Sequence, residues 1–121
     1  MSRNWDELII WQESHNLVQE IYKLTKNFPK EELYNLTSQI RRAVTSIPTN
    51  IVEGHSKGSS KEFIRFLYIS RGSLEEVKYL LLLSKDLGYI TIEEYTELNE
   101  RLSKLSLQLN NFIRYLQKTN N

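Results

Sequence analysis

The sequence predicts an all-α protein: an up-down-up-down antiparallel four-helix bundle formed by a single domain over residues 1–121. Apolar residues recur at spacings of three and four through four long segments. The chain has only two prolines and four glycines, and most of them fall between these segments. The predicted connections near residues 28–31, 55–59 and 88–91 are short, so consecutive helices must run in opposite directions.

Two predicted helices fill the first half of the chain, over about residues 6–27 and 31–54. The first should end before Pro29, because the residue that precedes a proline avoids helical backbone angles. Each helix carries one apolar stripe with members three or four residues apart. The first stripe is Leu17, Ile21, Leu24 and Phe28, and the second is Leu33, Leu36, Ile40, Ala43 or Val44, Ile47 and Ile51.

A proline, Pro48, lies inside the second predicted helix. The apolar stripe keeps its phase across this residue, so we expect a kinked but continuous helix. Proline lacks the N–H that would bond the carbonyl of Val44, and nearby polar side chains can satisfy the freed groups. Those side chains are Thr45, Ser46, Thr49 and Asn50. Gly54 is predicted to end the helix.

The third and fourth predicted helices cover about residues 60–87 and 92–118. Each begins with Ser or Thr followed three residues later by Glu, which is the spacing of a capping box. The pairs are Ser59 with Glu62 and Thr91 with Glu94. Gly88 stands where a left-handed helix cap is expected. The fourth helix has a heptad-like stripe made of Tyr95, Leu98, Leu102, Leu105, Leu109, Phe112 and Leu116.

The third helix carries more apolar surface than one bundle needs. Residues 79–83 are apolar on all sides of the helix, and Ile64, Tyr68 and Ile69 also lie off its main stripe. A helix that is apolar all round must be covered on more than one side. Either the bundle buries this helix centrally or another subunit covers it, and we favour a homo-oligomer.

The residues that support catalysis or metal binding are sparse in this sequence. It has no cysteine, which excludes disulfides, thiolate metal sites and cysteine nucleophiles. Its two histidines, His15 and His55, lack the partner spacing of a metal site. No phosphate-binding glycine loop follows a strand. We therefore predict a protein that is not an enzyme, with no catalytic, cofactor-binding or metal-binding residues.

The same composition bears on where the protein works. The N-terminus lacks the basic and apolar segments of a signal peptide. The longest apolar run, residues 79–83, is far shorter than the ~20 residues that cross a bilayer. Together with the lack of cysteine, this predicts a cytoplasmic protein with no membrane partner.

Basic residues gather around the connection between the second and third helices. The formal net charge is only +1, so nucleic-acid binding must depend on where the charges lie. A basic patch near Tyr68 suits phosphate contact combined with base stacking. The alternative is a solvated face whose cations are partly paired, Arg65 with Glu62 and Arg71 with Glu75. The candidate nucleic-acid-binding residues are Arg41, Arg42, Lys57, Lys61, Arg65 and Arg71.

Two long segments carry a family resemblance. They are LTSQIRRAVTSIPTNIVEG (36–54) and KEFIRFLYISRGSLEEV (61–77). Both resemble the small four-helix bundle proteins encoded within intervening sequences of bacterial 23S ribosomal RNA genes. Residues 9–36 and 81–90 are similar to the same family, so the resemblance covers about residues 5–118.

The resemblance implies a homopentamer with bundles arranged around a central channel. It also implies that Ser70, Gly72 and Ser73 shape close helix contacts. A relative of this family, the accessory protein of diversity-generating retroelements, is strongly basic and binds a reverse transcriptase and nucleic acid. The implied function is a non-catalytic oligomer that binds RNA or ribosome-associated nucleic acid. The alternative is a protein-interaction scaffold or an accessory subunit, for example of a reverse transcriptase.

Overall fold

The computed structural model describes residues 4–119; residues 1–3 and 120–121 of the predicted domain lie outside the described part. The prediction of an all-α chain with four helices is confirmed, since no strand occurs within the described part. The helices are α1 (Ile9–Thr25), α2 (Leu36–Ser56), α3 (Ser60–Asp86) and α4 (Ile92–Thr119). Each helix packs against the next one in the chain, and α4 returns to α1.

Cross-helix hydrogen bonds fix the antiparallel direction of the neighbours. Between α2 and α3, the hydroxyls of Ser46 and Ser73 lie 2.9 Å apart, and the Ser70 hydroxyl donates to the Ile47 carbonyl at 2.8 Å. Between α3 and α4, Lys78 Nζ lies 3.2 Å from the Ser103 hydroxyl. The late part of α2 therefore lies beside the early part of α3. The end of α4 lies beside the start of α3, because Gln117 Nε2 donates to the Tyr68 hydroxyl.

Two helices begin later than predicted. α1 begins at Ile9 instead of residue 6, because Trp5–Glu7 forms a separate 3₁₀ turn. α2 begins at Leu36 instead of residue 31. There, Lys30–Glu32 forms a second 3₁₀ turn, and Asn35 leaves the helical region at φ −131° and ψ −105°. The chain thus turns twice before α2 can start.

The predicted continuity of α2 across Pro48 is confirmed. The polar side chains around the proline bond backbone carbonyls of the preceding helical turn. Thr49 Oγ1 donates to the Thr45 carbonyl at 2.7 Å, and Asn50 Nδ2 donates to the Ser46 carbonyl at 2.8 Å. Both bonds go to carbonyls that follow the Val44 carbonyl, which is the one freed by the proline, so they do not bear out the predicted satisfaction of that group.

The prediction that Gly54 ends α2 is wrong, because the helix continues to Ser56. A Cβ at Gly54 would lie 2.7 Å from Phe66 Cβ and 2.8 Å from Phe63 Cδ1. Glycine is therefore needed for the close approach of α3. The turn after α2 is made by Gly58, whose φ is +78°.

The implied role of small residues in close helix contacts holds for Ser70 and Ser73 but not for Gly72. A Cβ at Gly72 would meet no atom within 4 Å, because this position faces solvent. Both capping hydroxyls accept the predicted backbone bond, but only Thr91 and Glu94 form the full capping box, because the Glu62 carboxylate pairs with Arg65 instead. The Ser59 hydroxyl accepts from the Glu62 N–H, and Thr91 and Glu94 form the reciprocal pair at 2.8 and 3.0 Å.

The apolar stripes largely face one shared core, with one change of phase in α4. Beyond Leu109 the buried positions are Ile113 and Leu116, whereas the predicted Phe112 is only partly buried. In α3, Tyr79 remains 60% exposed and Leu82 37% exposed. The chain does not cover this part of α3 by itself.

Within residues 4–119, no helix combines the length and apolarity needed to cross a membrane.

Candidate nucleic-acid interface

Three exposed cations cluster at the turn between α2 and α3; we call Lys57, Lys61 and Arg65 the cationic end. Two of them lie over the buried ring of Phe66. Arg65 Cζ is 4.6 Å from the ring centroid and Lys57 Nζ is 5.4 Å from it. The ring orders both side chains by cation–π contact while their charged groups stay in water. The Glu62 carboxylate pairs with Arg65 at 3.2 Å, which is one of the two ion pairs expected if this surface is only a solvated face.

Tyr68 and Arg71 extend this surface along α3. Arg71 Cζ lies 4.7 Å from the centroid of the exposed Tyr68 ring. The guanidinium donates to Asn110 Oδ1 of α4 at 2.9 Å instead of pairing with Glu75. Arg71 therefore serves the α3–α4 contact as well as the surface. Gln117 Nε2 donates to the Tyr68 hydroxyl at 3.4 Å.

Two further cations lie near the cationic end and were missed from the sequence. The contact between Gln117 and Tyr68 places the last turns of α4 beside the first turns of α3. Arg114 and Lys118, both exposed, lie in those turns. Arg114 donates to Asn111 Oδ1 of its own helix. The helix dipole favours cations near the C-terminus of α4, so the sequence gives these two residues an explanation that needs no ligand. Antiparallel packing nevertheless brings them to the cationic end.

Arg41 and Arg42 do not join the cationic end. Arg41 faces α1, where its Nε donates to Thr25 Oγ1 at 2.8 Å and its Nη2 donates to the Tyr22 carbonyl at 3.3 Å. Fifteen residues separate Arg42 from Lys57, which is about 22 Å along a helix. Arg41 and Arg42 therefore lie apart from Lys57, Lys61 and Arg65.

Comparison with known proteins decides the family. A family model described as 23S rRNA-intervening sequence protein matches residues 6–111. The chain belongs to this family. A solved structure from the S23 ribosomal protein family of Bacteroides thetaiotaomicron, described as a protein of unknown function, is similar to it at 29% identity and a TM-score of 0.81. The match covers 88% of this chain and 96% of that one. No curated protein matches the chain.

The charge of this intervening-sequence protein is distributed unevenly, although it sums to +1. The first turns of α4, at the opposite end of the bundle from the cationic end, carry an exposed acidic group of Glu93, Glu94, Glu97 and Glu100. The cationic end has acidic neighbours too, namely Glu62, Glu53, Asp6 and Glu7. The acidic group at the start of α4 and the cationic end therefore lie at opposite ends of the bundle, although exposed lysines such as Lys23 also lie near the acidic group.

The two histidines of this family member lie apart and both contact aromatic rings. His15 stacks on Trp11 with centroids 4.7 Å apart and planes 11° apart. His55 meets the edge of Phe63 at 5.7 Å. Among the described residues, no group of three or more His, Cys, Asp or Glu side chains is placed to hold a metal ion.

Proposed function

We propose that this protein is a non-catalytic, cytoplasmic RNA-binding protein that works as a homo-oligomer, and that RNA contacts its cationic end. The observation that carries the proposal is the grouping of Lys57, Lys61 and Arg65 at one exposed turn. Cations held in this way replace the counterions of a phosphate backbone, and that replacement supplies most non-specific affinity for nucleic acid. Membership of the 23S rRNA-intervening sequence protein family supports the choice of ribosomal RNA as the ligand to test.

The outer face of α3 supports assembly. Ile69, Tyr79 and Leu82 are exposed apolar residues on this helix. Gly72 lies between them with open space where a Cβ would be. The strip is apolar only in part, because the exposed residues Glu75 and Glu76 lie between Gly72 and Tyr79, and its apolar members suit contact with another subunit. We propose that a second copy covers it, and the family resemblance suggests a pentamer.

Assembly matters to RNA binding because it repeats the cationic end. A single end offers few phosphate contacts, and the net charge of the chain is low. Copies held together would bind one RNA at several places, so that the second contact becomes intramolecular and the overall affinity rises.

The test measures how RNA affinity depends on salt. A fluorescently labelled fragment of 23S ribosomal RNA is titrated at several salt concentrations with the unaltered protein and with the double variant Lys61→Gln/Arg65→Gln. Each lost phosphate contact should reduce the slope of log K against log salt by about 0.7 to 0.9, so we expect the double variant to lose about 1.4 to 1.8.

The control removes the same charge elsewhere. Lys26→Gln/Lys104→Gln alters two exposed cations that lie away from the cationic end. This variant should keep the slope of the unaltered protein. Equal slopes for all three proteins, measured on equal oligomers, would refute the assignment of RNA to the cationic end.

An apolar groove supports the scaffold alternative. It lies between the first turn of α1 and the last turns of α4, has a volume of about 450 Å³, and includes the exposed residues Ile9 and Tyr115. A partner protein, such as a reverse transcriptase in the retroelement case, would dock there through apolar contacts. Such a complex would survive nuclease and high salt and would be lost in Ile9→Ser, whereas an RNA-bridged complex would not survive nuclease.

A further inference from the structure

A groove between α1 and α2 has features that the cationic end does not explain. Two adjoining cavities of about 430 and 240 Å³ form it, and Thr45 lines both. The lining residues on α2 run from Thr37 to Val52, which is about 22 Å of helix. We call this feature the α1–α2 groove. A groove of this length suits an extended ligand.

Aromatic rings mark both ends of the α1–α2 groove. At one end the exposed His15 ring is stacked on Trp11, and Trp5 lies against Trp11 with centroids 4.8 Å apart. At the other end Tyr34 is 92% exposed. Trp11 supports the His15 ring from within the protein, Tyr34 stands open to solvent, and aromatic rings open to solvent are surfaces on which unpaired bases stack.

The charge of the α1–α2 groove suits an anionic backbone. Arg41 and Arg42 line the larger cavity. Arg41 is held in place by α1, with its Cζ 4.6 Å from the Tyr22 ring centroid. No acidic side chain is among the described residues that line either cavity. A phosphate at this site would meet cations without repulsion.

A buried hydroxyl provides an independent indication of a ligand. Thr37 is 3% exposed and lines the larger cavity, and its Oγ1 is buried without a hydrogen-bond partner. Buried polar groups are nearly always paired in folded proteins. A ligand in the cavity reaches this atom only after the Thr37 side chain rotates, and the hydroxyl can then both donate to and accept from a base edge or a ribose hydroxyl.

We propose that the α1–α2 groove binds a single-stranded RNA segment, with bases stacked on His15 and Tyr34 and phosphates near Arg41 and Arg42. The inference rests on the proposed RNA-binding function and adds the strandedness of the ligand and a second site. Duplex RNA hides its base faces inside the helix and cannot stack on protein rings, whereas single strands can. An acidic peptide would satisfy the arginines but would leave the rings without a function.

Tryptophan fluorescence reports on this groove directly. The chain has two tryptophans, Trp5 and Trp11, and both belong to the ring cluster at one end. The probe is an oligouridylate of about 12 nucleotides, within the site sizes typical of single-strand binding. We expect it to quench the fluorescence and to bind tighter than a duplex RNA of the same length.

Two variants with matched controls test the stacking. His15→Ala and Tyr34→Ala each remove one exposed ring, and each should weaken oligouridylate binding by at least about fivefold, the lower end for one lost base stack. His15→Phe and Tyr34→Phe keep a ring and should keep the affinity. Duplex binding should not change in any of the four variants.

The outcomes separate this inference from the proposed function. In one outcome oligouridylate and duplex RNA bind equally, tryptophan fluorescence is not quenched, and only Lys61→Gln/Arg65→Gln weakens RNA binding. The α1–α2 groove is then not an RNA site, and the assignment of RNA to the cationic end is retained. If neither RNA binds, both proposals fail. If an oligoglutamate peptide competes as well as oligouridylate and the ring variants change nothing, the groove accepts acidic peptides and the inference is overturned.

Discussion

The substitution Gly54→Ala tests the closest approach between α2 and α3. The new Cβ would lie 2.7 Å from Phe66 Cβ and 2.8 Å from Phe63 Cδ1. Phe66 Cβ is attached directly to the backbone of α3, so it cannot move aside without moving that helix. Inserting a methyl group into a packed core typically costs about 1 to 3 kcal/mol.

A second effect opposes this cost. Alanine is favoured over glycine inside a helix by about 1 kcal/mol. If the overpacking cost lies near or above the middle of its range, the free energy of unfolding should fall by about 1 to 2 kcal/mol. At a urea slope of about 2 kcal/mol per molar, the middle of the usual range, the unfolding midpoint should move to lower urea by about 0.5 to 1 M.

Gly72→Ala is the matched control. It makes the same chemical change inside a helix, but its Cβ would meet nothing within 4 Å. Only the helix preference remains, so this variant should gain up to about 1 kcal/mol. Both variants are followed by the loss of helical circular dichroism in urea at one low protein concentration, which limits any contribution from assembly.

The result that would refute the reasoning is a shift of the same sign in both variants. If Gly54→Ala stabilises the protein as much as Gly72→Ala does, then α2 and α3 can separate at little cost. In that case close packing does not explain the glycine at position 54.

Three further predictions follow from single contacts. Ser70→Ala removes the buried hydrogen bond to the Ile47 carbonyl and should lower the unfolding free energy by about 1 to 3 kcal/mol in urea titrations; an unchanged midpoint would contradict it. The hydrogen bond that Tyr89 donates to Glu32 raises the pKa of the Tyr89 phenol above its usual value. The contribution of this bond to the free energy of unfolding is therefore complete below about pH 10, and it is lost as the pH rises through the pKa of the folded state. The stability difference between the unaltered protein and Tyr89→Phe should therefore shrink in alkali, and a constant difference would show that the bond is not coupled to titration. Tyr79→Glu places a charge on the exposed face of α3 and should reduce the sedimenting mass of the oligomer without loss of helix content; an unchanged mass would exclude this face from assembly.

The sequence predicts those features that depend on residues close together in the chain. The continuity of α2 across Pro48 follows from a stripe that keeps its phase through the proline. The capping pair Thr91 and Glu94 and the left-handed Gly88 follow from local chemistry in the same way. Each of these predictions needs only the geometry of one helix or one turn.

The features that failed depend on partners from another helix. Gly54 looks like a helix end from its neighbours in sequence, but Phe63 and Phe66 of α3 determine its role. The separation of Arg41 from Arg65 depends on the register of α2 against α3, which no pattern within either helix specifies. The late start of α2 has a more local cause, because Lys30–Glu32 forms a 3₁₀ turn and Asn35 leaves the helical region, while Leu33 and Leu36 keep the spacing of three that a helix would show.

The arrangement of α3 links the proposed assembly to the proposed RNA surface. One side of the helix is fixed to α2 through Ser70 and Ser73, and this contact turns Tyr79 outward. The same rigid helix carries Lys61 and Arg65 in its first two turns. Any oligomer that covers the Tyr79 face must therefore hold the cationic ends of its copies at fixed distances from one another. RNA affinity should accordingly depend on assembly even where no RNA contact is altered.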